Sequence, residues 1–426
     1  MAQPLNHDVE ITDQAGYWEL VRDNANLRRL WIGSIVSLLG DWFNTIALYT
    51  LVFRLTGSPF ALGAVFIFKM LPWALASPIA GALVDRFDRR RLMIISDLVR
   101  AVVVLGFLLI DEASDVYLVY GLIALQVVVG AVFVPAKSAS IPNITSPREL
   151  LTANALLSAS WSVMLAVGAA LGGFATEWLG EQAVFIIDSF TYLVSAYFIY
   201  RTTIPQNTEA PEGPILRTAM QEIVEGWRYM RAVPRVGRIA LVKAVWAVAG
   251  GALVYSLTLL GNEVAPEALA AGIGILFAVR GMGTGIGPVV ARAVFKDQNQ
   301  WPLIMGIFIA VTGLCYLGIG LIPWTLGVVV VLVMVAHSPS GANWVLATVL
   351  LQKRTEDRIR GRVFATEWLL LMLADTASIL TASLLLETGI LDLRTCFQTF
   401  ALLQILCGLL WIVLVVPKER KAVAEV

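Results

Sequence analysis

The sequence predicts an all-α membrane protein with twelve transmembrane helices, arranged as two parallel six-helix repeats. The first observation is composition: 58% of the 426 residues are hydrophobic and 15% are charged, whereas soluble proteins average about 45–50% and 25%. The second is that apolar stretches long enough to cross a bilayer, about 20 residues each, follow one another along the chain. The third is an internal repeat at about half the chain length.

Twelve apolar windows separated by polar breaks define the predicted spans. They cover residues 30–54, 59–84, 92–110, 116–136, 153–176, 182–200, 239–261, 269–294, 301–322, 325–350, 363–386 and 396–416. Several windows exceed the length that a bilayer requires, which indicates tilted helices or helix ends that extend beyond the hydrocarbon.

The spans divide the chain into five segments. These are an N-terminal tail (1–29), a first six-helix half (30–201), a connector (202–237), a second half (238–416) and a C-terminal tail (417–426). The N-terminal tail includes the acidic residues Asp8, Glu10 and Asp13 and lacks a basic start followed by an apolar run, so we expect no cleaved signal peptide. In the connector, apolar residues at helical spacing predict a surface helix around Ile215 to Val233.

The distribution of lysine and arginine predicts the orientation in the membrane. With a cytoplasmic N-terminus, the cytoplasmic loops and tails hold 24 of these residues, and the opposite loops hold Arg54 and Arg394. We therefore expect both termini and the connector to be cytoplasmic, which requires an even number of spans.

The two halves resemble each other when the sequence is shifted by about 210 residues. The shift aligns the first span with the seventh, the second with the eighth and the fourth with the tenth. Matching pairs are Gly40 and Gly250, Pro78 and Pro288, Arg86 and Lys296, Arg148 and Arg358, and Ala155 and Ala365. Repeated halves of this kind occur among secondary transporters.

Composition and motifs also exclude several classes of protein. The charges balance, 31 basic against 31 acidic, so the basic face of a nucleic-acid-binding protein is not expected. Cys315, Cys396 and Cys407 lie in apolar stretches and are interpreted as small apolar fillers, with no metal or cofactor. No HExxH, GxSxG or Cys/His cluster points to an enzyme.

The most specific motif follows the second span: Gly81-Ala-Leu-Val-Asp85-Arg86-Phe-Asp88-Arg89-Arg90-Arg91. A glycine allows close helix approach, and an aspartate can accept hydrogen bonds from the N-terminus of a neighbouring helix. The segment resembles the loop between helices two and three of the major facilitator superfamily. The resemblance implies that Gly81, Asp85, Arg86, Arg89 and Arg90 form a conformational latch.

A second stretch resembles one branch of that superfamily, which contains macrolide-efflux proteins and the enterobactin exporter. It comprises Phe133-Val-Pro135-Ala136-Lys137, Ile141-Pro142 and Leu150-Leu-Thr-Ala153-Asn154-Ala155-Leu156, with Gln352 and Gly361-Arg362-Val363 in the second half. Gly40-Asp41, Asp97 and Arg100 add to the likeness. Pro135-Ala136-Lys137 also resembles bacterial lysophospholipid transporters, so the branch does not fix the substrate.

Four charged residues lie near the predicted midplane of the membrane: Asp41, Lys69, Arg280 and Asp375. Charge at this depth is costly and generally faces a partner or water. In the family arrangement the second span packs beside the eleventh, which would let Lys69 and Asp375 pair between the halves. The same arrangement implies that Asp41 faces the cavity, where Arg280 could reach it or an anionic substrate group. We hypothesise that Asp41 is the proton-coupling carboxylate, because a desolvated acid near a movable cation can change its charge as the cavity alternates. The alternative is that these charges form fixed structural pairs.

Three other charged residues and one histidine also lie within the predicted spans, and each has a functional and a structural interpretation. Asp97, Arg100 and Asp188 are expected to bond within the first half rather than to contact substrate. His337, in the tenth span, is either a second proton-coupling candidate or a helix–helix hydrogen bond.

The resemblance implies that the first, fourth, seventh and tenth spans line the cavity, so aromatic and amide side chains on these spans are candidates for substrate contact. They are Trp42, Phe43, Asn44, Tyr49, Gln126, Trp246, Tyr255, Asn343 and Trp344. Each tryptophan could instead be an interfacial anchor, and each amide an interhelical bond. A mostly apolar cavity suits an amphiphilic compound better than a sugar or a phosphate.

Glycines in the fifth and eighth spans provide small faces that allow helices to pack closely and slide: Gly168, Gly172, Gly173, Gly281, Gly283, Gly285 and Gly287.

Together, the composition, the repeat, the motifs and the placement of charges predict a secondary active transporter in a prokaryotic plasma (inner) membrane, a monomer surrounded by membrane lipids. It would export amphiphilic small molecules of the drug, macrolide or siderophore type in exchange for protons. The alternative is a lipid or lysophospholipid flippase of the same fold.

Overall fold

The computed structural model describes residues 15–206 and 215–424, and these residues form helices joined by turns and short loops. Asp8, Glu10 and Asp13 of the predicted tail, and Pro211 and Pro214 of the predicted connector, lie outside the described residues. The first half contains α1 (Tyr17–Asp23), α2 (Ala25–Thr56), α3 (Pro59–Arg86), α4 (Arg89–Leu105), α5 (Val116–Gly130), α6 (Phe133–Ile144) and α7 (Pro147–Tyr200).

A connector helix, α8 (Ile215–Ala232), and a short helix, α9 (Pro234–Ala240), lead into the second half. That half contains α10 (Val242–Val264), α11 (Leu269–Val294), α12 (Trp301–Leu321), α13 (Leu326–Arg354), α14 (Asp357–Glu387) and α15 (Leu393–Leu414), and α16 (Val416–Ala424) follows it. The prolines that the repeat aligns, Pro78 and Pro288, lie inside α3 and α11, the second long helix of each half.

The helix α7 is two membrane spans. At 54 residues it would be about 80 Å long if straight, far more than a bilayer is thick. Gly180 has φ 80° and ψ 160°, a conformation that favours glycine, and it folds the arm 147–179 back on the arm 181–200. Gly172 of one arm packs on Phe43, and Thr191 of the other packs on Gly40, so both arms lie along α2.

Eleven segments in the described chain are long and apolar enough to cross a membrane, and α7 counts twice. The prediction of an all-α membrane protein with twelve spans is therefore confirmed. One boundary differs clearly: the predicted fourth span ended at 136, whereas α5 and α6 continue as one apolar segment to Ile144.

The halves pack tightly on one side of the membrane, the side away from α1, α8 and α9. There, Gly63 of α3 lies against Ser383 of α14, and the Tyr255 hydroxyl donates to the Pro59 carbonyl at 2.6 Å. The Glu387 carboxylate accepts from the Ser58 hydroxyl at 2.7 Å. The largest buried apolar cluster includes residues from both halves in this region.

On the other side, which we call the connector side, most apolar clusters belong to a single half. One cluster joins α3, α7 and neighbouring first-half helices, and another joins α9, α12 and α13 of the second half. The bundle is thus closed opposite the connector and opens between its halves on the connector side.

The closed side depends on glycine contacts between α7 and α11. A Cβ at Gly173 would lie 2.6 Å from the Ala270 carbonyl oxygen and 2.8 Å from the Gly274 Cα. We expect Gly173→Ala to separate the two helices, since overpacking of this kind costs about 1–3 kcal/mol. The measurements are the unfolding temperature and the electron-resonance distance between spin labels replacing Leu179 and Ile390, exposed residues of the first and second halves.

The matched control for this prediction is Gly285→Ala, because a Cβ at Gly285 meets no atom within 4 Å. Alanine at that helical position is expected to be neutral or slightly stabilising. Equal label distances and unfolding temperatures in the two variants would show that the Gly173 contact does not hold the closed side together.

The connector helix α8 contacts helices of both halves. The Thr366 hydroxyl of α14 donates to the Ile223 carbonyl at 3.2 Å, and Arg362 forms an ion pair with Glu225. On the other side, the Glu222 carboxylate lies near enough to Asp85, at the end of α3, for their like charges to repel. Partial burial raises the pKa of Glu222, and Arg362 opposes that shift.

Candidate functional site

Charged side chains of the first half converge on Asp41, in the middle of α2. The Tyr192 hydroxyl donates a hydrogen bond to Asp41 Oδ1, and Arg100 Nη1 lies 4.0 Å from the same oxygen. Arg100 also forms a buried ion pair with Asp97, one turn earlier on α4. The Asp41 side chain is 38% exposed, whereas that of Asp97 is fully buried. Asp41 is therefore the acid of this cluster that remains accessible.

The open face of Asp41 belongs to a cavity of about 160 Å³. Its walls are mostly apolar and aromatic, with two cations and a few hydroxyl groups. They comprise Trp31, Ser34, Ile35, Ser37, Leu38, Asp41, Arg100, Gly130, Phe133, Val134, Lys137, Leu157, Ser160 and Trp161. All of these residues belong to first-half helices, so this is the first half's wall of the space that opens on the connector side.

A second layer of polar groups lies behind Asp41. Gln126 Nε2 donates to the Tyr192 hydroxyl at 3.1 Å, which orients the hydroxyl that contacts Asp41. Asn44 Nδ2 donates to Asp188 Oδ2 at 2.8 Å. Asp97, Arg100 and Asp188 thus bond within the first half, and Arg100 also reaches the cavity.

The predicted pair between Lys69 and Asp375 is not formed in this structure. Lys69 Nζ donates to the Thr45 hydroxyl at 2.7 Å, inside the first half. Asp375 lies against Gly251, and within the described residues its Oδ1 accepts no hydrogen bond. The prediction was wrong because hydropathy gives the depth of a residue but not the direction in which its helix face points.

Arg280 does not approach Asp41 either. Its guanidinium lies 5.6 Å from the centre of the Phe277 ring, and its electrostatic partners are Asp375, Tyr49 and Tyr316. Arg280 and Asp375 therefore interact within the second half, which corrects the predicted approach of Arg280 to Asp41.

His337 is buried between two helices of the second half. Its Nε2 lies 2.7 Å from the hydroxyl of Tyr316 on α12, and Gly283 of α11 packs on its Cβ. The ring is 1% exposed. This geometry is that of a helix–helix hydrogen bond, the alternative left open by the sequence, rather than a group facing the cavity.

The predicted substrate-contact residues divide into two groups. Asn44, Tyr49, Gln126, Tyr255 and Asn343 are buried. Tyr49 and Tyr255 belong to the closed side, where Tyr49 stacks on Phe66 at 4.4 Å between ring centres. The second group remains partly or largely accessible and comprises Trp42, Phe43, Trp246 and Trp344.

Aromatic rings bridge the two halves near mid-depth. Trp73 of α3 meets Trp368 of α14 edge to face at 5.6 Å, and Trp368 meets Trp344 of α13 at 5.5 Å. Trp344 was predicted from the sequence, whereas Trp73 and Trp368 were missed. The signal available was the implied pairing of Lys69 with Asp375, which places the second span beside the eleventh, since Trp73 and Trp368 lie on these two spans.

The second half contains a buried ion pair that sequence reasoning also missed. Lys243 Nζ of α10 lies 3.0 Å from Glu367 Oε1 of α14, and the two side chains are 3% and 1% exposed. The ammonium also donates to the Thr348 hydroxyl at 3.0 Å and lies 4.5 Å from the centre of the Trp344 ring.

The predicted latch residues lie at the connector-side end of α3. Asp85 is exposed, and a Cβ at Gly81 would meet no atom within 4 Å. Arg89 donates to the Ala139 carbonyl at 2.7 Å, and Arg90 donates to the Tyr200 carbonyl. These two arginines therefore hold the first half together.

Asp88 caps α4 within this loop, because its carboxylate accepts from the Arg91 amide at 2.7 Å. Arg86 also interacts with a neighbouring group. Within the described chain no three acidic, histidine or cysteine side chains are grouped as a metal site would require.

Comparison with known sequences places this geometry in context. The model of the family described as Major Facilitator Superfamily matches residues 30–367. The MFS-type transporter YfiS of Bacillus subtilis (strain 168) is 27% identical over 219 residues, which is 50% of this chain and 51% of that protein. The candidate bacilysin exporter BacE of Bacillus amyloliquefaciens is 24% identical over 376 residues, 86% of this chain and 93% of that protein.

Solved structures show the same fold. A POT family transporter in complex with 5-aminolevulinic acid superposes with a TM-score of 0.74 at 10% identity, covering 95% of this chain and 98% of that chain. A bacterial homologue of the human lysosomal transporter Spinster, in an inward-facing and unoccupied conformation, gives 0.63 at 15% identity, covering 93% and 96%.

Proposed function

Because the chain belongs to the Major Facilitator Superfamily, and is a multi-pass membrane transporter rather than an enzyme, we propose that it is a proton-coupled exporter. Its substrates would be amphiphilic small molecules of the drug, macrolide or siderophore type, moved by alternating access. The observation that supports this proposal is the position of Asp41, an accessible carboxylate deep in the bundle, at the wall of an apolar and aromatic cavity. A relative named as a candidate exporter supports the direction.

In this mechanism, Asp41 binds a proton when the cavity opens to the outside and releases it when the cavity opens on the connector side. Substrate binds on the connector side after the proton leaves. Tyr192 and Arg100 hold the Asp41 side chain at the cavity wall, the first by a hydrogen bond and the second by its charge. Exchange then follows from competition between proton and substrate for one cavity.

The proposed location is the plasma (inner) membrane of a prokaryote, with both termini and the connector cytoplasmic. The excess of basic residues on the connector side supports this orientation. The transporter would act as a monomer, with membrane lipids around it. The macrolide-efflux and enterobactin-exporter resemblance, carried by residues 133–156 and 352–363, supports efflux.

The test is transport by the purified protein in proteoliposomes with an imposed pH gradient. We expect uptake into inside-out-oriented vesicles for at least one compound in a panel of macrolides, siderophores and lysophospholipids, and we expect collapse of the gradient to abolish accumulation. Empty liposomes measure passive entry. Accumulation that survives collapse would contradict proton coupling, and lysophospholipids as the sole transported class would establish the alternative, a lipid or lysophospholipid transporter.

A further inference from the structure

Five basic side chains lie well inside the described membrane spans, and three of them have a polar partner: Arg100 pairs with Asp97, Lys243 with Glu367 and Lys69 with the Thr45 hydroxyl. Arg280 lies over the Phe277 ring and does not line the cavity next to Asp41. The fifth is Lys137, on α6. A charge at this depth normally faces a partner or water, so the surroundings of Lys137 indicate what it is for.

Lys137 lines the cavity next to Asp41 and makes no ion pair or hydrogen bond within the described residues. Its ammonium lies 5.9 Å from the centre of the Phe133 ring, at the limit of a cation–π contact. It interacts electrostatically with Asp41, Asp97 and Arg100 at longer range. Asp97 is already held by Arg100. Lys137 is therefore a cation with three free donors at the cavity wall.

Asp41 supplies the opposite charge in the same cavity. Its described contacts, with Tyr192 and Arg100, both involve Oδ1. The second carboxylate oxygen, Oδ2, accepts no hydrogen bond from the described residues, and the side chain is 38% exposed. The cavity thus presents one free acceptor and one free ammonium that do not touch each other.

We propose that this cavity binds the zwitterionic group of an amphiphile, with its ammonium at Asp41 and its phosphate or carboxylate at Lys137. The apolar body of the molecule lies against Trp31, Phe133 and Trp161. This inference rests on the proposed transport function and names its substrate class. It also accounts for exchange, because the substrate ammonium and a proton compete for the same carboxylate.

Singly charged substrates fit this wall less well. A purely anionic group at Lys137 would face the Asp41 carboxylate, and a purely cationic group at Asp41 would face Lys137 and Arg100. Like charges in a cavity of low dielectric repel strongly. A group that carries both signs satisfies both side chains at once.

The experiment measures equilibrium binding by tryptophan fluorescence, since Trp31 and Trp161 line the cavity. The full chain is placed in phosphatidylglycerol nanodiscs, whose lipid carries no ammonium. The probes are lysophosphatidylethanolamine (zwitterion), lysophosphatidylglycerol (anion), dodecylamine (cation) and the dipeptide leucyl-leucine, a soluble zwitterion without a lipid chain. No gradient is applied, so a failure of proton coupling would leave this result unaffected.

We expect the dissociation constant of lysophosphatidylethanolamine to be lower than those of lysophosphatidylglycerol and dodecylamine by roughly tenfold or more. This factor corresponds to one charge-assisted hydrogen bond. In Lys137→Gln, lysophosphatidylethanolamine is expected to bind no more tightly than dodecylamine. In Lys137→Arg it should keep its higher affinity. The matched control is Lys353→Gln, an exposed lysine near the end of α13. Unfolding temperatures of the variants establish that they fold.

Two outcomes would overturn the proposal: equal binding of the zwitterion and either singly charged probe by the unmodified protein, or unchanged lysophosphatidylethanolamine affinity in Lys137→Gln. Binding of leucyl-leucine as tightly as the lysolipid would support the zwitterion site and identify small peptides as its source. Tighter binding of the lysolipid would identify a lipid-like amphiphile.

Discussion

Asp41→Asn is expected to remove most of the stimulation of transport by a pH gradient while leaving the protein folded. Asparagine has the same shape and can still accept the hydrogen bond that Tyr192 donates to Asp41 Oδ1, but it cannot bind and release a proton. The stimulation of flux by a pH gradient should fall by roughly 5- to 150-fold, the usual range of a coupling free energy between two ligands. The measurement is flux in proteoliposomes with and without the gradient.

Exchange of substrate across the membrane at equal pH separates coupling from folding. This exchange needs alternating access but no net proton movement, so the Asp41→Asn variant should still perform it at high substrate concentration, with a raised KM because the substrate's ammonium has lost its carboxylate. The matched control is Asp111→Asn, an exposed acid at the end of the first half's third span, which should behave as the unmodified protein does. Full gradient stimulation in a normally expressed Asp41→Asn variant would remove Asp41 from the coupling mechanism.

The membrane topology could be predicted because it depends on composition and periodicity. Backbone groups in hydrocarbon must be satisfied within each helix, so every span appears in the sequence as an apolar window. The prediction separated the windows 153–176 and 182–200, and the reversal at Gly180 explains the break between them. The extension of the fourth span into α6 was missed because Lys137 and Pro142 interrupt its apolar pattern.

The charged pairs could not be predicted to the same extent. A window of hydropathy places Lys69, Arg280 and Asp375 near the midplane, but a rotation of one helix by half a turn exchanges their neighbours. In the structure Lys69 donates to the Thr45 hydroxyl, and Arg280 lies over the Phe277 ring. Asp41 is different, because its position on the first span already indicated the cavity, and the structure does place it at the cavity wall.

Lys243 shows a second reason for a missed site. The predicted seventh span begins at 239, so a lysine four positions later resembles one that extends its charge to the headgroups. In the structure it is buried against Glu367, and Trp344 lies over its ammonium. Neither residue carries a sequence signal that would identify its partner on the other helix.

This buried pair leads to the largest expected effect on stability. Glu367→Ala leaves the Lys243 ammonium, 3% exposed, without its carboxylate. Breaking a buried pair by removing one partner costs about 3–5 kcal/mol, mostly because an uncompensated charge remains. We expect a correspondingly lower free energy of unfolding, measured by denaturant titration of the purified protein in detergent, and Lys243→Met should have a similar effect.

The double variant Lys243→Met, Glu367→Met separates charge from packing. With both charges removed, most of the lost stability should return, because an apolar pair of similar volume is often neutral or stabilising at a buried site. The control is Asp357→Ala on the same helix α14, which breaks the exposed Arg360–Asp357 pair and should cost about 1 kcal/mol or less. Two results would show that the pair is not a buried electrostatic contact between α10 and α14. The first is a Glu367→Ala variant that loses no more stability than the Asp357→Ala control, and the second is a double variant no more stable than either single variant. The packing of the two helices would then depend on their apolar faces alone.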